Sequence, residues 1–122
     1  MARASCAGAD PSIASVAVSG VTSDGRINRY LLKGRVVNVG QRKQASNVLQ
    51  FVDVFENGIK IDAKSILPLK PGASFTFSYV YQRSVYAGTG TADLVFQLHV
   101  HQPSPAGSQN CDSTNDGFTL TF

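Results

Sequence analysis

Val48-Leu49-Gln50-Phe51-Val52-Asp53-Val54-Phe55-Glu56-Asn57-Gly58-Ile59-Lys60-Ile61 is the stretch on which the fold turns. Up to Phe55 it is rich in β-branched and aromatic side chains, which suit a pleated surface better than a helix. Apolar groups fall on both faces, Val48, Val52 and Val54 on one and Leu49, Phe51 and Phe55 on the other, as a central strand requires. Asn57-Gly58 tolerates positive φ at both central positions of a type I′ turn. Ile59 and Ile61 then begin the return strand of a hairpin.

The same period of two continues on either side. Upstream, Ala14, Val16 and Val18 alternate in a first strand that ends at Ser19-Gly20 and the turn-rich Ser23-Asp24-Gly25. Tyr30, Leu32, Gly34 and Val36 alternate in a second, with Arg29, Lys33 and Arg35 on its wetter face. Asn38-Val39-Gly40 stops that strand, and Gln41 to Ser46 is polar loop. Downstream, proline followed by glycine in Leu69-Lys70-Pro71-Gly72 suits a type II turn. Phe75, Phe77, Tyr79 and Tyr81 then form an aromatic stripe opposite Ser74, Thr76 and Ser78.

Leu94, Phe96, Leu98 and Val100 alternate with Asp93, Gln97, His99 and His101. A polar connector, Gln102 to Asn115, leads to a last strand with Phe118, Leu120 and Phe122 inward. About seven or eight strands at spacings of roughly a dozen residues, with no helical period, give an all-β fold: an immunoglobulin-like two-sheet β-sandwich. The expected division is an N-terminal extension over 1–9 and the sandwich over 10–122.

Composition narrows the function. A chain of 122 residues, 43% hydrophobic and 16% charged, is one folded domain and too apolar for disorder. Its net charge of +3 is scattered, and Arg42-Lys43 is the one adjacent basic pair. Nucleic-acid binders cluster their cations among aromatics, so nucleic acid is not an expected partner. No apolar run approaches the length of a membrane span, so membrane insertion is not expected. No apolar leader core lies between Met1 and Pro11.

Cys6 precedes the first strand and Cys111 the last. In immunoglobulin topologies those strands commonly lie side by side, which brings the cysteines to one end of the sandwich, where a disulfide is expected. In the loop-entropy picture such a bridge contributes on the order of 4 kcal/mol. A disulfide implies an oxidising compartment, hence an extracellular, cell-surface or periplasmic protein.

The order of motifs resembles the CARDB family, the cell-adhesion-related domains of bacterial and archaeal surface proteins. The resemblance is carried by Val36-x-Asn38-x-Gly40, the hydrophobic strand into Asn57-Gly58, Leu69-x-Pro71-Gly72 before the aromatic strand, and the opening Ala9-Asp10-Pro11. It implies a seven-stranded immunoglobulin-like fold, display on a secreted or surface protein, an adhesive or spacer role, and no active site. The sequence departs from the family in Cys111-Asp112-Ser113-Thr114-Asn115-Asp116, where a cysteine interrupts an acidic, asparagine-rich stretch, and in His101-Gln102-Pro103.

Candidate chemistry is sparse. His99 and His101 share a sheet face about 7 Å apart and would need a third ligand from a neighbouring strand to hold zinc or copper. Asp112-x-Thr114-x-Asp116-Gly117 echoes the first half of a calcium loop but lacks its bidentate glutamate, and a capped turn explains it equally. No metal and no cofactor are expected, with His99, His101, Asp112 and Asp116 the candidates were a metal bound. Asp53 and Asp62 approach each other across the Asn57-Gly58 hairpin in one possible register. No serine or cysteine has a histidine base held by a third group, so no catalytic residue and no enzyme activity are expected.

The aromatic stripe is read as the core face of its strand rather than a sugar-binding platform. The expected function is a non-catalytic extracellular interaction, adhesion or spacer module whose partner is a protein or polysaccharide at the cell surface. The expected contact surface is the loop Gln41 to Ser46 together with Arg83 to Gly90. The alternatives are a small periplasmic metal-binding protein using His99 and His101, and a carbohydrate-binding accessory domain of a secreted enzyme.

Overall fold

Asn57 and Gly58 take φ of 49° and 87°, the two positive values that a type I′ turn demands. They join β3 (Leu49–Glu56) to β4 (Ile59–Ile66) in the computed structural model, which describes residues 8–85, 90–101 and 116–122. β3 is central, with β4 on one side and β6 (Asp93–His101) on the other, and β7 (Gly117–Thr121) completes a four-stranded antiparallel sheet in the order β4-β3-β6-β7. A second antiparallel sheet, in the order β1-β2-β5, comprises β1 (Pro11–Ser23), β2 (Ile27–Asn38) and β5 (Ser74–Ser84). The architecture is the immunoglobulin-like sandwich expected.

The core lies between the sheets. β3 and β6 face it with Val52, Val54, Leu94, Phe96 and Leu98, and β2 with Leu32 and Val36. The aromatic stripe of β5 points into it: Phe77 and Tyr81 are buried, and Phe75 and Tyr79 pack against the cluster. Phe77 stacks tilted on Phe96, with ring centroids 5.9 Å apart. It also explains Gly34, its cross-strand partner, because any Cβ at position 34 would overlap the Phe77 ring. Phe118, Leu120 and Phe122 close the core from the last strand.

The first strand differs from its expected alternation. Ile13 and Val16 point inward, whereas Ala14 is exposed and Val18 is 44% exposed. Register passes from Ile13↔Val36 directly to Ser15↔Arg35, so Ala14 is an extra residue, and a second shift falls between Val18 and Gly20. The bulge at Ala14 inverts the parity that period-two reading assumes, whereas Val18, opposite buried Leu32, keeps the inward parity and is exposed all the same. The strand also continues past Ser19-Gly20 to Ser23.

The first and last strands are not paired side by side: β1 bonds to β2 in one sheet and β7 to β6 in the other. They approach across the open edge of the sandwich. Cys6 and Cys111, and with them the expected bridge, lie outside the described residues.

Candidate functional site

The motif residues converge at one end of the sandwich. Asn38 closes β2, is fully buried, and bonds in every direction available to it. Its Oδ1 accepts from the Asp10 amide at 3.0 Å and the Gly40 amide at 2.9 Å. Its Nδ2 donates to the Arg42 carbonyl at 2.8 Å and the Leu69 carbonyl at 2.9 Å. Its own amide donates to Ala73 O, and its carbonyl accepts from the Gly72 amide. Gly40 is required because the N-terminal segment crosses it: a Cβ there would meet the Gly8 carbonyl and the Asp10 amide.

Gly72 has φ of 77°, and the Ala73 amide donates to Lys70 O at 3.0 Å, which completes the type II turn over Pro71-Gly72. Asn38, Gly40, Pro71 and Gly72 are therefore scaffold. Their polar groups are consumed in tying three loops together.

A second buried pair carries the network further. Gln44 and Gln50 exchange amide hydrogen bonds, each at 2.8 Å. Gln50 Nε2 also donates to Leu67 O at 2.9 Å, Gln44 Oε1 accepts from the Leu69 amide at 3.0 Å, and the Gln44 amide donates to Leu69 O at 3.0 Å. The segments 43–46 and 67–70 become the two walls of an open groove lined with apolar groups, including Ala45, Leu67 and Pro68, with Lys43 and Lys70 among its lining residues. Around it Val39 (53%), Leu49 (60%) and Leu67 (66%) are strongly exposed. Sequence reading placed a polar loop here without finding the groove. Gln44 and Gln50 are unremarkable in a one-dimensional pattern, and only the register makes them partners.

The expected contact surface is corrected in one respect. Ile27 pairs with Ser84 and Val37 with Ser74, so Arg83–Val85 lie at the opposite end of β2 from the Gln41–Ser46 loop. Ten positions along a strand separate them, about 33 Å. At that far end the Tyr81 hydroxyl donates to Glu56 Oε2, and Arg83 Nη1 lies 3.4 Å from the same hydroxyl. Burial, then the bond to Glu56, holds the Tyr81 phenol above its usual pKa of 10.0, with Arg83 opposing. Tyr30 and Tyr81 flank Phe122 at 4.9 and 5.0 Å between centroids. Asp24 caps the β1–β2 turn, its Oδ1 accepting from the Arg26 and Ile27 amides at 2.9 Å, and these bonds lower its pKa.

The histidines lie on the outer face of the four-stranded sheet. His99 Nδ1 is 3.5 Å from Asp53 Oδ2, and Lys60 Nζ is 3.4 Å from Asp53 Oδ1. The Asp53 side chain is 10% exposed, so it sits beneath its two partners. His101 pairs with Leu49 across the strands, whereas Asp53 pairs with Gln97, four positions along β6 from His101. His99 and His101 therefore do not converge on Asp53.

Asp53 and Asp62 do not meet. Asp53 is opposite Ala63, and Asp62, opposite Val54 on the other face, pairs with Lys64 at 3.3 Å. Asp116 is buried, with its carbonyl accepting from the Leu98 amide at 2.7 Å, and Asp112 lies outside the described residues. Among the described residues no three His, Cys, Asp or Glu side chains are grouped so as to hold a metal. Nor does any helix among them have the length and apolarity to cross a membrane.

No protein-family model matches the chain. No curated protein matches it either. Solved structures do. The crystal structure of the CARDB domain of the PF1109 protein from Pyrococcus furiosus, in complex with di-metal ions, aligns with a TM-score of 0.63 at 13% identity, covering 98% of this chain and 91% of that one. The solution NMR structure of the same domain aligns with a TM-score of 0.58 at 12% identity, covering 95% and 94%. The fold is that of a CARDB domain over nearly the whole chain.

Proposed function

We propose that this chain, built on the fold of a CARDB domain, serves as a non-catalytic interaction or spacer module of an extracellular or cell-surface protein. The observation that carries the reading is where its distinctive residues go. Asn38, Gly40, Gln44, Gln50 and Gly72 are absorbed in fixing loops, and the aromatic stripe is absorbed in the core. What remains for recognition is the surface those loops present, as on other β-sandwich scaffolds. The test is surface labelling of intact source cells with a membrane-impermeant biotin reagent. The expected result is labelling of the chain without lysis; labelling only after lysis removes the extracellular part of the reading.

A second reading is metal binding. It is favoured by the di-metal complex of the structurally similar P. furiosus domain and by the Asp53–His99 pair, which supplies two ligand types side by side. Zinc calorimetry at neutral pH separates the two readings. A micromolar site abolished by His99→Ala establishes the second; heat no greater than dilution leaves the first.

A further inference from the structure

We propose that the groove between segments 43–46 and 67–70 receives an extended segment of a partner protein in which an apolar side chain is flanked by carboxylates. The proposal rests on the interaction-module reading and names the surface and the partner chemistry for it. Charge complementarity selects the partner. Arg42, Lys43 and Lys70 are exposed at this end, and the ion pairs among the described residues involve Arg29, Lys60, Lys64 and His99 instead.

The exposed acids Asp24 and Asp93, with the partly buried Glu56, belong to the other end, where Asp93 bonds to Asn57 and Glu56 to Tyr81. Asp10 and Asp116, which immediately precede β1 and β7 on the groove side, are buried. The groove thus presents an apolar lining whose exposed charged side chains, Lys43 and Lys70, are both positive, which suits an apolar anchor carried among carboxylates.

Rigidity makes the groove fit for that use. Both walls are held by buried amide bonds from Asn38, Gln44 and Gln50, so little ordering is left to be done on binding. An anionic bilayer fits less well. Three cations contribute roughly 1 kcal/mol each at a charged leaflet, too little for stable attachment.

The test is a titration of the isotopically labelled whole chain, followed through its amide resonances, with a short synthetic peptide bearing one phenylalanine flanked by glutamates. A matched peptide with lysines in place of the glutamates, and phosphatidylserine–phosphatidylcholine vesicles, are the comparisons. The expected result is saturable shifts at Lys43 to Ser46 and at Leu67, Leu69 and Lys70 with the glutamate peptide alone. Reversing the two exposed cations in Lys43→Glu/Lys70→Glu leaves the melting temperature unchanged and weakens that binding about tenfold. Shifts confined to another face, affinity indifferent to the double reversal, or partition onto vesicles without a peptide response would each overturn it. The titration uses the purified chain, so an intracellular location would remove the extracellular reading and leave the groove standing. A surface-exposed chain that ignores the peptide would remove the groove alone.

Discussion

Asn38 illustrates what a single residue contributes. Within Asn38-Val39-Gly40 it is legible in the sequence as part of a strand stop, but its role comes from loops distant in the chain that no local pattern connects to it. Asn38→Ala strips a partner from the Asp10 and Gly40 amides and the Arg42 carbonyl, and leaves the Leu69 carbonyl with the Gln44 amide alone, all in or near the buried end of the sandwich. Unsatisfied buried groups cost about 1–3 kcal/mol each, and relaxation and water recover part of that, so a net loss of about 3 kcal/mol is expected in urea unfolding. Asp53 shows the opposite case: its partners Lys60 and His99 depend on cross-strand register, which sequence periodicity does not supply.

Tyr81 gives a pH signature. Its folded pKa is raised, so its contribution is complete below the unfolded value of about 10 and is lost as pH rises through the folded one. Thermal melts should therefore fall above about pH 10, and Tyr81→Phe should fall less over the same interval. Tyr79, raised mainly by burial, accounts for part of the remaining slope.

At the level of elements, the strands whose alternation is uninterrupted, β2, β5 and β6, are readable directly from their apolar period. The β3–β4 turn is readable from Asn57-Gly58. β1 is not, because the bulge at Ala14 inverts the parity of its start and Val18, though opposite buried Leu32, is 44% exposed. This makes a sharp contrast testable. Ile13→Ala should cost about 2 kcal/mol or more by opening a core cavity, whereas Val18→Ala, at a side chain already 44% exposed, should stay within about 0.5 kcal/mol. Simple period-two reading ranks these two the other way, and denaturant midpoints decide between them.

On the scale of the whole molecule, the sandwich separates its two ends chemically. One end holds the Asn38–Gln44–Gln50 network with the exposed Arg42, Lys43 and Lys70; the other mixes both signs, with Asp24 and Glu56 beside Arg26, Arg29 and Arg83. Composition revealed only a modest net charge, since which charges share an end is decided only once the chain is folded. Cys6 and Cys111 bear on the same scale. A bridge between them would close nearly the entire chain, and thiol titration of unfolded, unreduced protein is expected to find essentially no free thiol. Two free thiols per chain would remove the disulfide and with it the compartment inferred from it.

Whether this module meets a partner protein at the groove end is decided by site-specific photo-crosslinking on intact source cells. A photoreactive phenylalanine derivative replaces Leu67 at the groove or Val80 on the outer face of β5, both strongly exposed. A protein adduct is expected from position 67, abolished by Lys43→Glu/Lys70→Glu, and none from position 80. An adduct from position 80 alone, or one from position 67 that survives the charge reversal, would contradict a contact at the groove.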